Sequence, residues 1–223
     1  MNSLNTYIDH TLLKATATEQ DIINLCDEAK KHKFFSVCVN SCYVSLAKSQ
    51  LNNSDVKVCS VIGFPLGAMS TKAKVEETKQ ALKDGADEID MVINVGFLKS
   101  KNFDAVWQDI EAVKQVMPNN ILKVILETCY LEEIEIIKAS ELAINSGADF
   151  IKTSTGFGTG GATIHDVEIM KSVAQKCKVK IKASGGIRDT ETAKAYIEAG
   201  AERIGTSNGI AIVTGQKAEE GNY

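Results

Sequence analysis

Lysines interrupt three apolar segments of this chain at positions where they could do chemistry. Lys123, Lys152 and Lys182 stand in the β-branched runs 121–127, 149–153 and 179–184, and Asp90 stands in 88–94. Successive side chains of a strand point to opposite faces. With Ile89, Met91, Ile93, Val124, Leu126, Ile151, Val179 and Ile181 facing helices, the other face collects Glu88, Asp90, Val92, Asn94, Lys123, Glu127, Lys152 and Lys182. An ordinary lysine, with a pKa near 10.4, keeps under about 0.1% neutral amine at pH 7. Enclosure beside other cations favours loss of that proton, and the neutral amine is then a nucleophile that forms imines with carbonyl carbon. The bland alternative is a structural ion network of Asp90 with Lys123 and Lys182.

A second pattern concerns anions. Segments 151–158, 181–186 and 204–209 each join glycine to Ser or Thr, bringing Thr153, Gly156, Gly185, Gly186, Ser207 and Asn208 to three successive strand ends. Such turns offer backbone N–H groups for close approach, with hydroxyl donors beside them. Each loop alone is compatible with plain turn chemistry. All three together imply a phosphate site, so the predicted substrate is a phosphorylated carbonyl compound.

The elements that must position these groups repeat eight times. Apolar runs at 7–11, 34–40, 56–63, 88–94, 121–127, 149–153, 179–184 and 203–206 alternate with helical patterns. Val106, Ile110, Val113 and Met117 share one helix face, as do Val167, Met170, Val173 and Cys177. Thr16 with Glu19 reads as a capping box, Asp189 as a helix cap, and Gly85, Gly147 and Gly200 as helix stops. Strict alternation at about 28 residues per unit predicts parallel strands with right-handed crossovers and a closed (β/α)8 barrel, an α/β TIM barrel. A doubly wound sheet is the alternative, but no dinucleotide glycine fingerprint follows the first run. One catalytic domain is expected over 1–223, with a flexible tail from about 216.

Composition narrows the partners. Among 223 residues, 25 Lys and Arg face 29 Asp and Glu, and a net charge of −4 gives no footprint for nucleic acid or an anionic membrane. No run approaches the length of a membrane span, and the N-terminus lacks the features of a signal peptide, so a cytoplasmic location is expected. Cys26, Cys38, Cys42, Cys59, Cys129 and Cys177 are scattered, as are His10, His32 and His165. Neither set has the spacing of a metal or disulfide framework, so chemistry without metal or cofactor is expected.

Ordered motifs along the whole chain carry a family resemblance. Tyr-Ile-Asp-His-Thr-Leu-Leu-Lys ends at Lys14, Ser-Val-Cys-Val-Asn at Asn40, Val-Ile-Gly-Phe-Pro-Leu-Gly at Gly67, and Gly-Ala-Asp-Glu-Ile-Asp-Met-Val-Ile-Asn at Asn94. Lys-Thr-Ser-Thr-Gly starts at Lys152 and Lys-Ala-Ser-Gly-Gly at Lys182. In these the chain resembles the deoxyribose-phosphate aldolases, a class I family. The resemblance implies reversible cleavage of 2-deoxy-D-ribose 5-phosphate to acetaldehyde and D-glyceraldehyde 3-phosphate. It further implies that Lys152 forms the Schiff base, that Lys182 lowers its pKa, that Asp90 moves protons through a water, and that the C-terminal Tyr223 exchanges a proton with the enamine carbon. Gly156, Gly185, Gly186, Ser207 and Asn208 match phosphate-binding positions; Asp9, Cys38 and Thr153 match the substrate pocket. The implied partners are the phosphorylated sugar and acetaldehyde, with the chain a homodimer or monomer.

Some residues depart from the family pattern. Ala15 and Ser41 replace prolines, Asn208 stands where many members have serine, and Phe157 replaces a lysine of some longer relatives. Two other classes fit the residues alone. One is a phosphate-binding barrel isomerase or synthase using carboxylate acid/base chemistry, whose activity would survive loss of Lys152. The other is a non-catalytic metabolite-binding barrel.

Overall fold

The computed structural model describes residues 3–216. Eight parallel strands close in sequence order: β1 (Ile8–Leu12), β2 (Ser36–Val39), β3 (Lys57–Ile62), β4 (Glu88–Val92), β5 (Ile121–Ile125), β6 (Phe150–Lys152), β7 (Lys180–Ser184) and β8 (Arg203–Thr206). Closure is made by β1 on β8, pairing Ile8 with Ile204, Asp9 with Gly205 and His10 with Thr206. Between the strands run α1 (Glu19–His32), α2 (Val44–Gln50), α3 (Thr71–Lys83), α4 (Val95–Lys99), α5 (Phe103–Gln115), α6 (Glu133–Asn145), α7 (Ile164–Ala174) and α8 (Thr190–Ala199), and α9 (Gly209–Thr214) follows β8. This is the (β/α)8 barrel that the alternation predicts. The expected tail, from residue 217 onward, lies outside the described residues.

Local chemistry explains the element ends, with two corrections. The first helix is capped by Thr18, not Thr16. Thr18 has the extended backbone of a cap, its hydroxyl accepts the Asp21 N–H at 3.3 Å, and Asp21 accepts the Thr18 N–H at 2.8 Å. Asp189 caps α8 as expected, accepting the Thr192 N–H at 2.8 Å. Gly85, Gly147 and Gly200 end α3, α6 and α8 at positive φ, where a side chain would be strained. On α5 and its exit, Val106, Ile110, Val113 and Met117 are all buried. On α7 the inner face is Val167, Met170 and Ala174, while Cys177 is exposed because the helix stops at Ala174.

The core forms in two places. A large layer between strands and helices buries Ile89, Met91, Val124, Ile151, Ile181 and Ile204 against the inner faces of the helices. A small apolar cluster of Leu13, Cys38, Cys59 and Val61, with Phe64 beside it, lies apart from that layer. Alternation puts its Cys38, Cys59 and Val61 on the inner face of the barrel, beside charged side chains. No described helix is long and apolar enough to cross a membrane.

Candidate active site

Asp90 is the hub of the interior. Its Oδ1 accepts from Lys123 Nζ at 2.8 Å and Cys59 Sγ at 3.1 Å, and its Oδ2 accepts from Lys152 Nζ and Lys182 Nζ, each at 2.8 Å. Four donors fill the lone-pair directions of one carboxylate. Burial pushes the Asp90 carboxyl up, but Lys123, Lys152 and Lys182 together outweigh it and hold the group well below the usual carboxylate range.

A second tier locks two of those lysines. Lys182 also meets Asp9 Oδ2 at 2.5 Å, and Lys123 also meets Glu88 Oε2 at 2.6 Å. Arg203 Nη1 bridges Asp9 at 2.8 Å and Glu88 at 3.1 Å, its guanidinium lying 3.4 Å from the Phe35 ring centroid. Ser36 Oγ donates to Asp9 Oδ1 at 2.6 Å. Burial alone would lower Lys182, yet Asp9 and Asp90 raise it above the ordinary lysine range. Lys123 is raised likewise by Asp90, Cys59 and Glu88 against the effect of burial. Burial raises Asp9, but Arg203, Lys182 and Lys123 bring it below the carboxylate range. Gly205 makes room for this: a Cβ there would stand 3.0 Å from both Lys182 Cε and Ser184 Cβ.

Charge counting separates Lys152 from the rest. Among the described residues, Lys123, Lys152, Lys182 and Arg203 meet only the carboxylates of Asp9, Glu88 and Asp90, so the cluster holds one more cation than carboxylate when all are ionised. Lys152 has a single carboxylate contact among the described residues and is the last residue of β6, at the C-terminal rim. It is the lysine of this cluster with the fewest carboxylate contacts among the described residues, and it is the one not fully buried, at 3% against 0% for Lys123 and Lys182.

The remaining predicted residues fall around that rim. Thr153 follows Lys152 at full burial; its hydroxyl donates to Ser184 O at 3.2 Å and accepts the Ser184 N–H at 3.1 Å, tying β6 to β7. Gly156, Gly185 and Gly186 take φ of +89°, +87° and +83°. Gly161, which sequence reading did not single out, packs so closely on Gly185 that a Cβ on it would meet the Gly185 carbonyl oxygen at 2.3 Å. Ser207 and Asn208 follow β8 and line a 510 Å³ cleft with Lys14, Thr16 and Asn24 of the segment after β1. Cys38, on β2, pairs across the sheet with Cys59, and a hydrogen bond between the thiols lowers Cys38. Cys38 Sγ, Cys59 Sγ and an Asp90 oxygen lie within 4.8 Å of one another, but the donors already on Asp90 leave it little capacity for a metal ion.

Two of the residues expected to face inward lie past the ends of their strands. Asn94 lies beyond β4 and caps α4, accepting the Phe97 N–H at 3.0 Å. Glu127 lies beyond β5, buried, with its carboxylate on Thr155. Tyr223 lies outside the described residues. Arg203 and Cys59 are additions to the predicted set. Strand alternation places both inward, since Ile204 faces the helices and turns Arg203 inward, while Val58 and Ser60 flank Cys59.

Comparison with known proteins bears on this chemistry. Residues 4–215 match the family model described as DeoC/LacD family aldolase. The chain belongs to the DeoC/LacD aldolase family. It is 59% identical over 212 residues to the deoxyribose-phosphate aldolase of Finegoldia magna, covering 95% of this chain and 99% of that one. It is 55% identical to the deoxyribose-phosphate aldolase of Clostridium novyi over 222 residues, 99% and 100% of the two chains. A solved structure described as QR15, an aldolase, superposes with a TM-score of 0.92 at 47% identity, covering 96% of both chains. The tetrameric deoxyribose phosphate aldolase of Aeropyrum pernix superposes with a TM-score of 0.88 at 34% identity, over 95% and 89% of the chains. In this aldolase, then, the lysine cluster fills the barrel interior from mid-strand Lys123 and Lys182 to Lys152, the last residue of β6, at the strand end where barrel enzymes place their chemistry.

Proposed function

We propose that this aldolase reversibly cleaves 2-deoxy-D-ribose 5-phosphate to acetaldehyde and D-glyceraldehyde 3-phosphate through a Schiff base on Lys152. The observation that carries the assignment is the sharing of Asp90 Oδ2 by Lys152 and Lys182 at the end of β6. Lys152 Nζ adds to C1 of the open-chain aldehyde, and loss of water gives the imine. The C2–C3 bond then breaks as the C3 hydroxyl gives up its proton; its electrons pass to the imine and leave an enamine. Protonation of that carbon and hydrolysis release acetaldehyde. Asp90 serves the proton transfers around the amine, and Lys182, held cationic by Asp9 and Asp90, disfavours a second positive charge on Lys152.

The phosphate is assigned to Gly156, Gly185, Gly186, Ser207 and Asn208, whose N–H and side-chain donors suit an anion. Cys38 and Thr153 are assigned to the substrate pocket, and Asp9 acts there by holding Lys182. Tyr223 is assigned the proton at the enamine carbon. The partners are the phosphorylated sugar and acetaldehyde, with no nucleic acid or membrane; the working form is a homodimer or monomer in the cytoplasm. Incubating the protein with 2-deoxy-D-ribose 5-phosphate and measuring acetaldehyde tests the reading. Stoichiometric acetaldehyde and glyceraldehyde 3-phosphate are expected, and ligand binding without either product would overturn it.

A further inference from the structure

Glu127 is a buried carboxylate to which the aldol chemistry gives no task. It is 3% exposed, and among the described residues no lysine, arginine or histidine forms an ion pair with it. Its two oxygens are met by neutral donors instead: Oε1 accepts the Thr155 N–H at 3.1 Å and a long contact from Cys129 Sγ at 4.0 Å, and Oε2 accepts the Thr155 hydroxyl. Its backbone sits at φ +57° and ψ +61°, a left-handed conformation that a glutamate adopts only under constraint. A strained backbone and a carboxylate withdrawn from water both cost free energy, so the surroundings must hold this arrangement in place.

What the carboxylate organises is the turn that follows Lys152. Backbone bonds bracket it on both sides, from Leu126 N–H to Lys152 O at 2.9 Å and from Thr128 N–H to Thr153 O at 3.0 Å. Thr155 Oγ1, donating to Glu127, accepts the Phe157 N–H at 3.0 Å, and between them Gly156 turns at φ +89°. Gly158 then passes over the carboxylate, where a Cβ would stand 3.3 Å from Glu127 Cδ and 2.8 Å from Cys129 Sγ. The carboxylate, the Thr155 hydroxyl and the glycine turn form one chain of contacts leading to Gly156.

We propose that Glu127 is a positioning residue for phosphate recognition, its carboxylate shaping turn 153–158 so that the Gly156 backbone meets the substrate phosphate. The inference rests on the aldolase reading above, and its action is on binding of the phosphorylated end rather than on chemistry at Lys152. Steady-state kinetics of Glu127→Ala with 2-deoxy-D-ribose 5-phosphate and with unphosphorylated 2-deoxyribose test it. KM for the phosphorylated sugar should rise about tenfold or more, the size of a lost hydrogen bond to a charged group. The unphosphorylated sugar should change by less than about twofold in kcat/KM. Glu127→Gln, which keeps one acceptor for Thr155, should recover part of the loss. Should Glu127→Ala not fold, Thr155→Val removes the hydroxyl alone and should give the same split between substrates. Equal losses on both sugars, or a fall in kcat with KM unchanged, would overturn the assignment. Borohydride trapping with acetaldehyde in the wild-type protein separates the two claims: an adduct with equal losses sinks only the role of Glu127, and no adduct sinks the aldolase reading.

Discussion

Lys152 Nζ and Lys182 Nζ donate to one oxygen, Asp90 Oδ2, at 2.8 Å each. Two lysine nitrogens can share one acceptor because Asp90 stays ionised between them, held well below the ordinary carboxylate range. Lys182 has a second carboxylate in Asp9; Lys152 has no second one among the described residues. This asymmetry is what the proposed mechanism uses in giving the fixed charge to Lys182 and the reactive amine to Lys152.

Lys182→Leu removes that fixed charge and leaves Asp90 facing Lys152 with less competition. Turnover should fall, and the acid limb of kcat/KM should move to higher pH by about one unit, the scale of one neighbouring charge. A pH-rate profile measures this. A fall in activity with an unmoved limb would leave Lys182 a structural role only.

Gly205→Ala tests how tightly Lys182 is held. The added methyl would approach Lys182 Cε at 3.0 Å, and the lysine cannot yield without stretching its contacts to Asp9 and Asp90. A stability loss of about 1–3 kcal/mol is expected from overpacking, with lower kcat. Denaturant unfolding and steady-state kinetics check it; wild-type values in both would mean that the site is looser than its distances.

Arg203→Met removes the cation between Asp9 and Glu88 and should destabilise the fold by about 3–5 kcal/mol at neutral pH, as expected for breaking a buried ion pair. The depressed Asp9 and Asp90 stabilise the fold above the unfolded carboxylate value of 3.8, and that contribution is lost as pH falls through their lower folded values. The gap between wild type and variant should therefore be largest near neutrality and narrow below about pH 4. Urea unfolding at several pH values reads it, and a gap that widened in acid would contradict the ion network.

Much of this site was legible because a strand's period of two is rigid. Once Ile89 and Met91 face the helices, Asp90 must face in, and the same rule places Lys123, Lys152 and Lys182. It works at Arg203 too, although the short run 203–206 draws less notice. The rule stops where the strand stops: Asn94 and Glu127 lie past the ends of β4 and β5, so their directions follow from capping and a left-handed turn instead. Helix α3 hides a different case. Lys74, which sequence reading does not single out, is fully buried, bonded to Asp109 at 2.5 Å and to Val92 O at 2.9 Å. Its partner lies 35 residues away, on α5, and no local pattern announces it.

Ser207→Ala tests the phosphate assignment on the far side of the mouth. Loss of its hydroxyl should weaken 2-deoxy-D-ribose 5-phosphate by about 1.5–3 kcal/mol, the range for a hydrogen bond to a charged group, and leave unphosphorylated 2-deoxyribose nearly unchanged. Competition binding with inorganic phosphate reads the same contact directly. Equal weakening of both sugars would place Ser207 away from the phosphate.

The central claim is that Lys152 is the covalent nucleophile. Borohydride reduction of the protein with acetaldehyde, followed by peptide mass mapping, tests it most directly. The account predicts one ethyl adduct, about 28 Da, on the peptide carrying Lys152 and none on Lys182 or Lys123. An adduct on Lys182, or no adduct at all, would contradict it.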